Sequence, residues 1–233
     1  MNLIESDSEL AARVEMAEAM QRLGHALMAH RLDVSTSEQV RSMAQAALRL
    51  VDGLPPRDRV AEMAQNPRFA AALDGRTMDS VTRDGEVMDL FRDSVVSGRT
   101  NPMGIGLSVR REGDAAIGQT VLGPAFEGAP RRAHGGVVAA ILDEVMGHVL
   151  PIVGAVAYTA NLSIDYVNPT PLGAPLTFTA RLRDRAGRKL WIEASGTSGE
   201  QTFVRAEALF LCVDVASFSQ QSWHDGADRP IAG

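Results

Sequence analysis

Asp143 and Glu144 stand in the middle of a strongly apolar stretch of this 233-residue chain, between Gly135 and Pro151. A carboxylate in apolar surroundings is costly unless it is paired, so each acid needs a reason. Glu144 has a candidate partner in His148, four residues on and on the same helical face. Asp143 falls on a different stripe, with Gly136, Ala140 and Gly147. Those neighbours are small enough to let a backbone or a ligand come close. Asp143 is therefore a candidate general base. The alternative is a carboxylate satisfied by nearby backbone N–H groups, and spacing does not separate the two.

His134-Gly135-Gly136 opens the same stretch. The first N–H groups of a helix have no intrahelical acceptor, and the helix dipole is positive there. With two glycines no side chain obstructs them, and an oxygen carrying negative charge can dock on backbone N–H. That is the chemistry of an oxyanion hole; the alternative is a glycine turn that serves only tight entry into the helix. Gly135 and Asp143 lie eight residues apart, about 12 Å along a helix. One reacting carbonyl cannot touch both within a single chain. If both act on one substrate they come from different copies, which predicts a symmetric dimer with sites at the interface.

These residues need a scaffold. Between the glycines and Pro151, apolar residues run all round the helix, so it should be buried on most sides, as a sheet wrapped around it would do. Gly104 to Glu112, Ala115 to Leu122, Ala157 to Asn168, Pro175 to Asp184, Lys189 to Ser198 and Thr202 to Val213 read as strands. The short links at Arg183–Arg188 and Ser198–Gln201 imply antiparallel hairpins. Before residue 100 the texture is helical. Glu9 to His30 places Leu10, Val14, Ala17, Met20 and Leu27 at helical spacing, and Thr36 to Val51 is a second helix capped by Ser35, Thr36 or Ser37. Asn66 to Leu73 and Glu86 to Ser97 read as shorter helices. The expectation is an α+β chain: a helical extension over 1–99, a sheet-and-helix domain over 100–215, and a loose tail over 216–233.

Composition narrows the function. A net charge of -6 argues against a broad nucleic-acid-binding face, and residues 1–100 carry 12 Arg against 16 Asp and Glu. The single cysteine, Cys212, makes a reducing compartment the default, so a cytoplasmic location is expected. The first residues lack the order of a secretory signal, and no apolar run is long enough to predict a membrane span. Five scattered histidines suggest no metal site.

The block HGGVVAAILDEVMG, preceded by FEGAPRRA and followed by YTANLSIDYVNPTPLG, resembles the hot-dog-fold acyl-CoA thioesterases. The likeness is to the phenylacetate-pathway type and, more closely, to the mitochondrial long-chain acyl-CoA thioesterase branch, over about residues 100–214. The resemblance implies an antiparallel sheet wrapped around one long central helix, in homodimers or dimers of dimers. It implies hydrolysis of acyl-CoA to a free acid and CoA, in lipid metabolism, without cofactor or metal. It carries the role of general base or nucleophile to Asp143, of water positioning to Thr159, and of the oxyanion site to His134 and the Gly135 N–H. Gly136, Gly128, Arg131, Arg132 and Asn161 follow as substrate contacts. Gly128 stands where some relatives have Asn, and Arg131-Arg132 where a Gly-x pair is frequent.

Simple alternation in Ala157–Val167 places Tyr158, Ala160, Leu162 and Ile164 on one face and Thr159, Asn161, Ser163 and Asp165 on the other. If the apolar face covers the helix, Thr159 points away from it. Arg131, Arg132, Arg181, Arg183, Arg185, Arg188 and Lys189 could bind CoA phosphates or be solvated strand charges. Trp191, Phe178, Phe203 and Phe210 read as sheet core and Cys212 as a small core residue. His25, His30 and His224 have no evident partners. Two rival functions are a non-catalytic acyl-CoA-binding sensor module, which would need a contacting N-terminal half, and a hydratase or dehydratase, whose motif context is missing.

Overall fold

A computed structural model of the protein describes residues 5–58, 62 and 83–213. The expected helix at Asn66–Leu73, the tail beyond 215 and His224 lie outside the described residues. Helix α1, Asp7–Ala29, starts where Ser6 and Glu9 cap each other: the Glu9 N–H donates to Ser6 Oγ and the Ser6 N–H to Glu9 Oε2. Helix α2, Val34–Val51, is capped by Asp33, which accepts from the Thr36 N–H at 2.7 Å. The cap therefore lies upstream of the three residues expected, because a carboxylate at Asp33 already meets that N–H.

Among the described residues six antiparallel strands follow: β1 (Ser108–Glu112), β2 (Ala115–Val121), β3 (Ala157–Tyr166), β4 (Pro175–Ala186), β5 (Lys189–Ser198) and β6 (Gln201–Cys212). Their order across the sheet is β1-β2-β4-β5-β6-β3. Gly187 and Gly199 take positive φ in the tight β4–β5 and β5–β6 turns. Between β2 and β3 the chain forms α3 (Gly135–Gly147) and a short α4 (Val149–Ile152), so β3 crosses to the far edge of the sheet.

Helix α3 fills the sheet's concave side. Val138, Ile141, Leu142, Val145 and Met146 are fully buried, with Leu176, Phe178, Leu190, Ile192, Phe203 and Phe210 from β4, β5 and β6 in the same core. Burial of each such side chain stabilises the fold by about 1.5–3 kcal/mol. Phe178 and Phe203 meet edge to face at 5.5 Å. The helix sits so close to β2 that a Cβ at Gly118 would lie 2.6 Å from Val145 Cγ2. Gly135–Ile152 has the length and mean hydropathy (1.4) of a membrane span, but its apolar sides face this core.

Two expectations need correction here. Glu86–Ser97 is not a helix. The Met88 N–H goes to the Val109 carbonyl and Val87 bridges Arg110, so the segment starts as an extended strap along β1 and continues in turns. Met88 and Val96 are buried by joining the sheet's core, which a surface helix would not achieve. Trp191 is half-buried on the opposite sheet face from Leu190 and Ile192, while Phe178, Phe203 and Phe210 are core. Cys212 is half-buried against that core and carries a free thiol.

Candidate functional site

One stripe of α3 stays open. Gly136 and Asp143 are exposed, and Ala140 and Gly147 are half-buried, although the rest of the helix is largely covered. Asp143 has a partner there: Thr159 Oγ1 donates to Asp143 Oδ1 at 2.8 Å. Simple alternation pointed Thr159 away from the helix. The register explains the difference. Thr159 pairs with Phe210 and Asn161 with Leu209, so Ala160 is an extra residue, a β-bulge. Thr159 thus shares the face of buried Phe210, and Leu162 and Ile164, opposite Ala208 and Ala206, return to that same face. Asn161 lies opposite Leu209 on the other face and is not brought to Asp143.

Glu144, next along the helix, does not pair with His148 through its carboxylate. Oε1 accepts from Ser94 Oγ at 2.9 Å and from Ser97 Oγ, which ties the 86–97 strap to the helix. His148 Nδ1 instead meets the Glu144 backbone carbonyl at 2.7 Å, the bond open to a histidine at a helix C-cap.

The mouth of α3 is built by the loop before it. His134 is the N-cap, and its Nδ1 accepts from the Gly136 N–H at 3.0 Å. This leaves the Gly135 N–H as the first helical donor, with no acceptor inside the helix. The His134 N–H is anchored on the Phe126 carbonyl at 2.9 Å, and Ala133 on the Thr170 carbonyl. Gly128 packs on the back of this turn, where a Cβ would come within 2.8 Å of His134 Cα. Arg131 stands at φ 62°, a left-handed conformation that suits the glycine frequent at this point, and its N–H donates to Glu127 Oε1.

A cleft of about 340 Å³ opens beside this mouth, lined by Arg132, Gly135, Tyr166, Asn168 and Thr170 among others. Tyr166 was not singled out from sequence. Its hydroxyl donates to the Gly135 carbonyl at 2.8 Å and so pins the first turn of α3 from β3. Eight residues on, too far to share an atom with Gly135 N–H, lies the Asp143–Thr159 pair. Of the basic residues considered for phosphate, Arg132 lines this cleft. Arg181 pairs with Asp114 and Arg183 with Glu207, and Arg188 donates to the Cys212 carbonyl.

Residues 132–204 match the family model of the thioesterase superfamily. Acyl-coenzyme A thioesterase THEM4 of Xenopus laevis is 32% identical over 91 residues, 39% of this chain and 41% of that protein. THEM4 of Mus musculus is 37% identical over 91 residues, 38% of this chain and 39% of that one. The matches thus span about two fifths of these relatives' length. A crystal structure of a thioesterase superfamily protein superposes with a TM-score of 0.65 at 24% identity, over 85% of this chain and 90% of that one. That likeness shows the fold. The helix cradled by the antiparallel sheet is a hot-dog fold, and residues 132–204 within it are similar to the thioesterase superfamily.

Proposed function

We propose that the protein is an acyl-CoA thioesterase that works as a homodimer. The observation that carries this is the Thr159–Asp143 hydrogen bond on the open stripe of α3. An exposed carboxylate held by one hydroxyl keeps lone pairs for water. Asp143 takes the proton as that water attacks the thioester carbonyl, and Thr159 holds Asp143 and the water in line. The oxyanion that develops docks on the Gly135 N–H at the positive end of α3, with His134 shaping the turn. CoA leaves as the thiol and the acyl group as a free acid. Attack by Asp143 itself, through a mixed anhydride, would use the same residues.

The spacing of about 12 Å between Gly135 and Asp143 requires two copies. The position of β3 supports this: it is an edge strand that carries Thr159 and exposed Tyr158 and Tyr166. A second copy along that edge would set the helix mouth of one protomer toward the carboxylate of its partner. Arg132 at the cleft suits a CoA phosphate. The similarity to acyl-coenzyme A thioesterases supports the substrate class, and the single cysteine a cytoplasmic setting.

The test is release of free CoA from acyl-CoAs of short to long chain, with Asp143→Asn alongside and the oligomeric state measured by light scattering. The wild-type chain should turn over at least one acyl-CoA as a dimer or dimer of dimers. Asp143→Asn should fold and assemble yet lose nearly all hydrolysis. Near-normal turnover by that variant, or an active monomer, would defeat the assignment.

A further inference from the structure

Helix α1 docks on the rest of the protein by a mixed face, in which half-buried Leu10, Val14 and Leu27 stand beside polar side chains. Arg13, Ala17, Gln21 and His25 recur every fourth residue, and all are buried or half-buried, while Met16, Met20 and Leu23 face outward. Arg13 reaches Thr100 Oγ1 at 3.3 Å, and Gln21 Nε2 donates to the Asn101 carbonyl at 2.8 Å. The last contact of the series falls on the loop that builds the helix mouth. The Ala125 N–H donates to His25 Nδ1 at 3.1 Å. The His25 ring meets Phe126 edge-on, with centroids 5.0 Å apart. It also lies so close to Gly123 that a Cβ there would be 2.7 Å from Nδ1.

These contacts hold the short 3-10 turn Pro124–Phe126 from one side. From the other side, the Phe126 carbonyl accepts the His134 N–H at 2.9 Å, and His134 Nδ1 accepts from Gly136. A continuous set of hydrogen bonds therefore runs from α1 through Ala125 and Phe126 to the N-cap of α3. The 3-10 turn has no side-chain cap of its own, so His25 supplies the acceptor that its Ala125 N–H would otherwise lack.

We propose that α1 is a positioning arm for the site, and that His25 is its contact: by holding the Pro124–Phe126 turn it fixes His134 and the direction of the Gly135 N–H. This rests on the thioesterase reading for its kinetic consequence, though not for the physical link. It gives the helical extension a task, to hold the donor half of the pocket.

The full chain is tested with two substitutions. His25→Phe keeps a ring against Phe126 and removes the acceptor. His25→Asn removes the ring and returns an oxygen near the Nδ1 position. Hydrogen exchange is followed at the amides of 125–136, and kcat and KM are measured with an accepted acyl-CoA. In the wild type the Ala125 and His134 amides should exchange slowly. In His25→Phe, exchange over 125–136 should speed up while β4–β6 stay protected. Its kcat should fall about fivefold, the worth of one neutral hydrogen bond, with KM nearly unchanged. His25→Asn should regain most of that kcat. Fast exchange at wild-type Ala125 would overturn the proposal even if both variants failed to fold. So would a His25→Phe protein with unchanged kcat, an effect confined to KM, or an Asn variant no better than Phe. An inactive wild-type protein would defeat the thioesterase reading instead, and exchange over 125–136 would then decide the physical link alone.

Discussion

Gly128→Ala tests whether the loop behind His134 sets the rate. The perturbation is one methyl group on an exposed turn, distant from Asp143 and Thr159. Its size can be worked out from the structure. The added Cβ would lie 2.8 Å from His134 Cα and 3.2 Å from His134 N, against 3.4 Å for ordinary contact. His134 must therefore retreat by at least about 0.6 Å, and the nearest atom is backbone, which cannot rotate away. The His134 N–H is held by Phe126 and Nδ1 by Gly136, so the shift passes into the first turn of α3. A displacement approaching 1 Å in a positioned catalytic group costs on the order of 100-fold in rate. Stability should fall by about 1–3 kcal/mol, because the clash is with hydrogen-bonded backbone even though Gly128 is exposed. The assay is release of free CoA, with kcat and KM determined separately and melting followed by circular dichroism. The expected result is a kcat loss of about 100-fold with a folded protein whose Tm is lower by roughly 2–10 °C. A variant whose kcat stays within about threefold of wild type, about 0.7 kcal/mol of activation free energy, would refute the view that the His134 turn must stay in place.

Thr159→Val keeps the branched shape that suits a strand and deletes the hydroxyl on Asp143; kcat should fall about tenfold, the lower end for a hydrogen bond to a charged group because both residues are exposed. Tyr166→Phe removes only the bond to the Gly135 carbonyl, and steady-state kinetics should show a kcat loss of about fivefold with KM little changed. Glu144→Gln replaces the carboxylate that Ser94 and Ser97 share; urea unfolding should show a loss of about 1–2 kcal/mol while kcat is retained.

The sheet and the central helix were legible because period-2 alternation, turn glycines and an all-round apolar helix leave direct marks in composition. The open stripe of Gly136, Ala140, Asp143 and Gly147 could be read for the same reason. Three features could not. The docking face of α1 joins Leu10, Val14, Ala17 and Leu27, which lie at the spacing expected, to Arg13, Gln21 and His25, which apolar periodicity cannot find, while Met20 faces outward. The 86–97 segment has helical spacing, yet its backbone donors go to β1 and its serines to Glu144. The bulge at Ala160 has no compositional signature, so the face taken by Thr159 could not be deduced by counting in twos. Tyr166 could have been found only from the register that brings the end of β3 beside the start of α3.

The extra residue in β3 lets one strand answer two demands that plain pleating sets against each other. Its far half offers aliphatic side chains to the interior, and its near half offers a hydroxyl to an acid on the same side. Parity along the backbone thus becomes a variable separate from residue identity. Holding these same residues in regular pleating, with Ala160 paired rather than bulged, would preserve every named side chain and still turn the hydroxyl outward, so in this strand the register matters as much as the kind of residue.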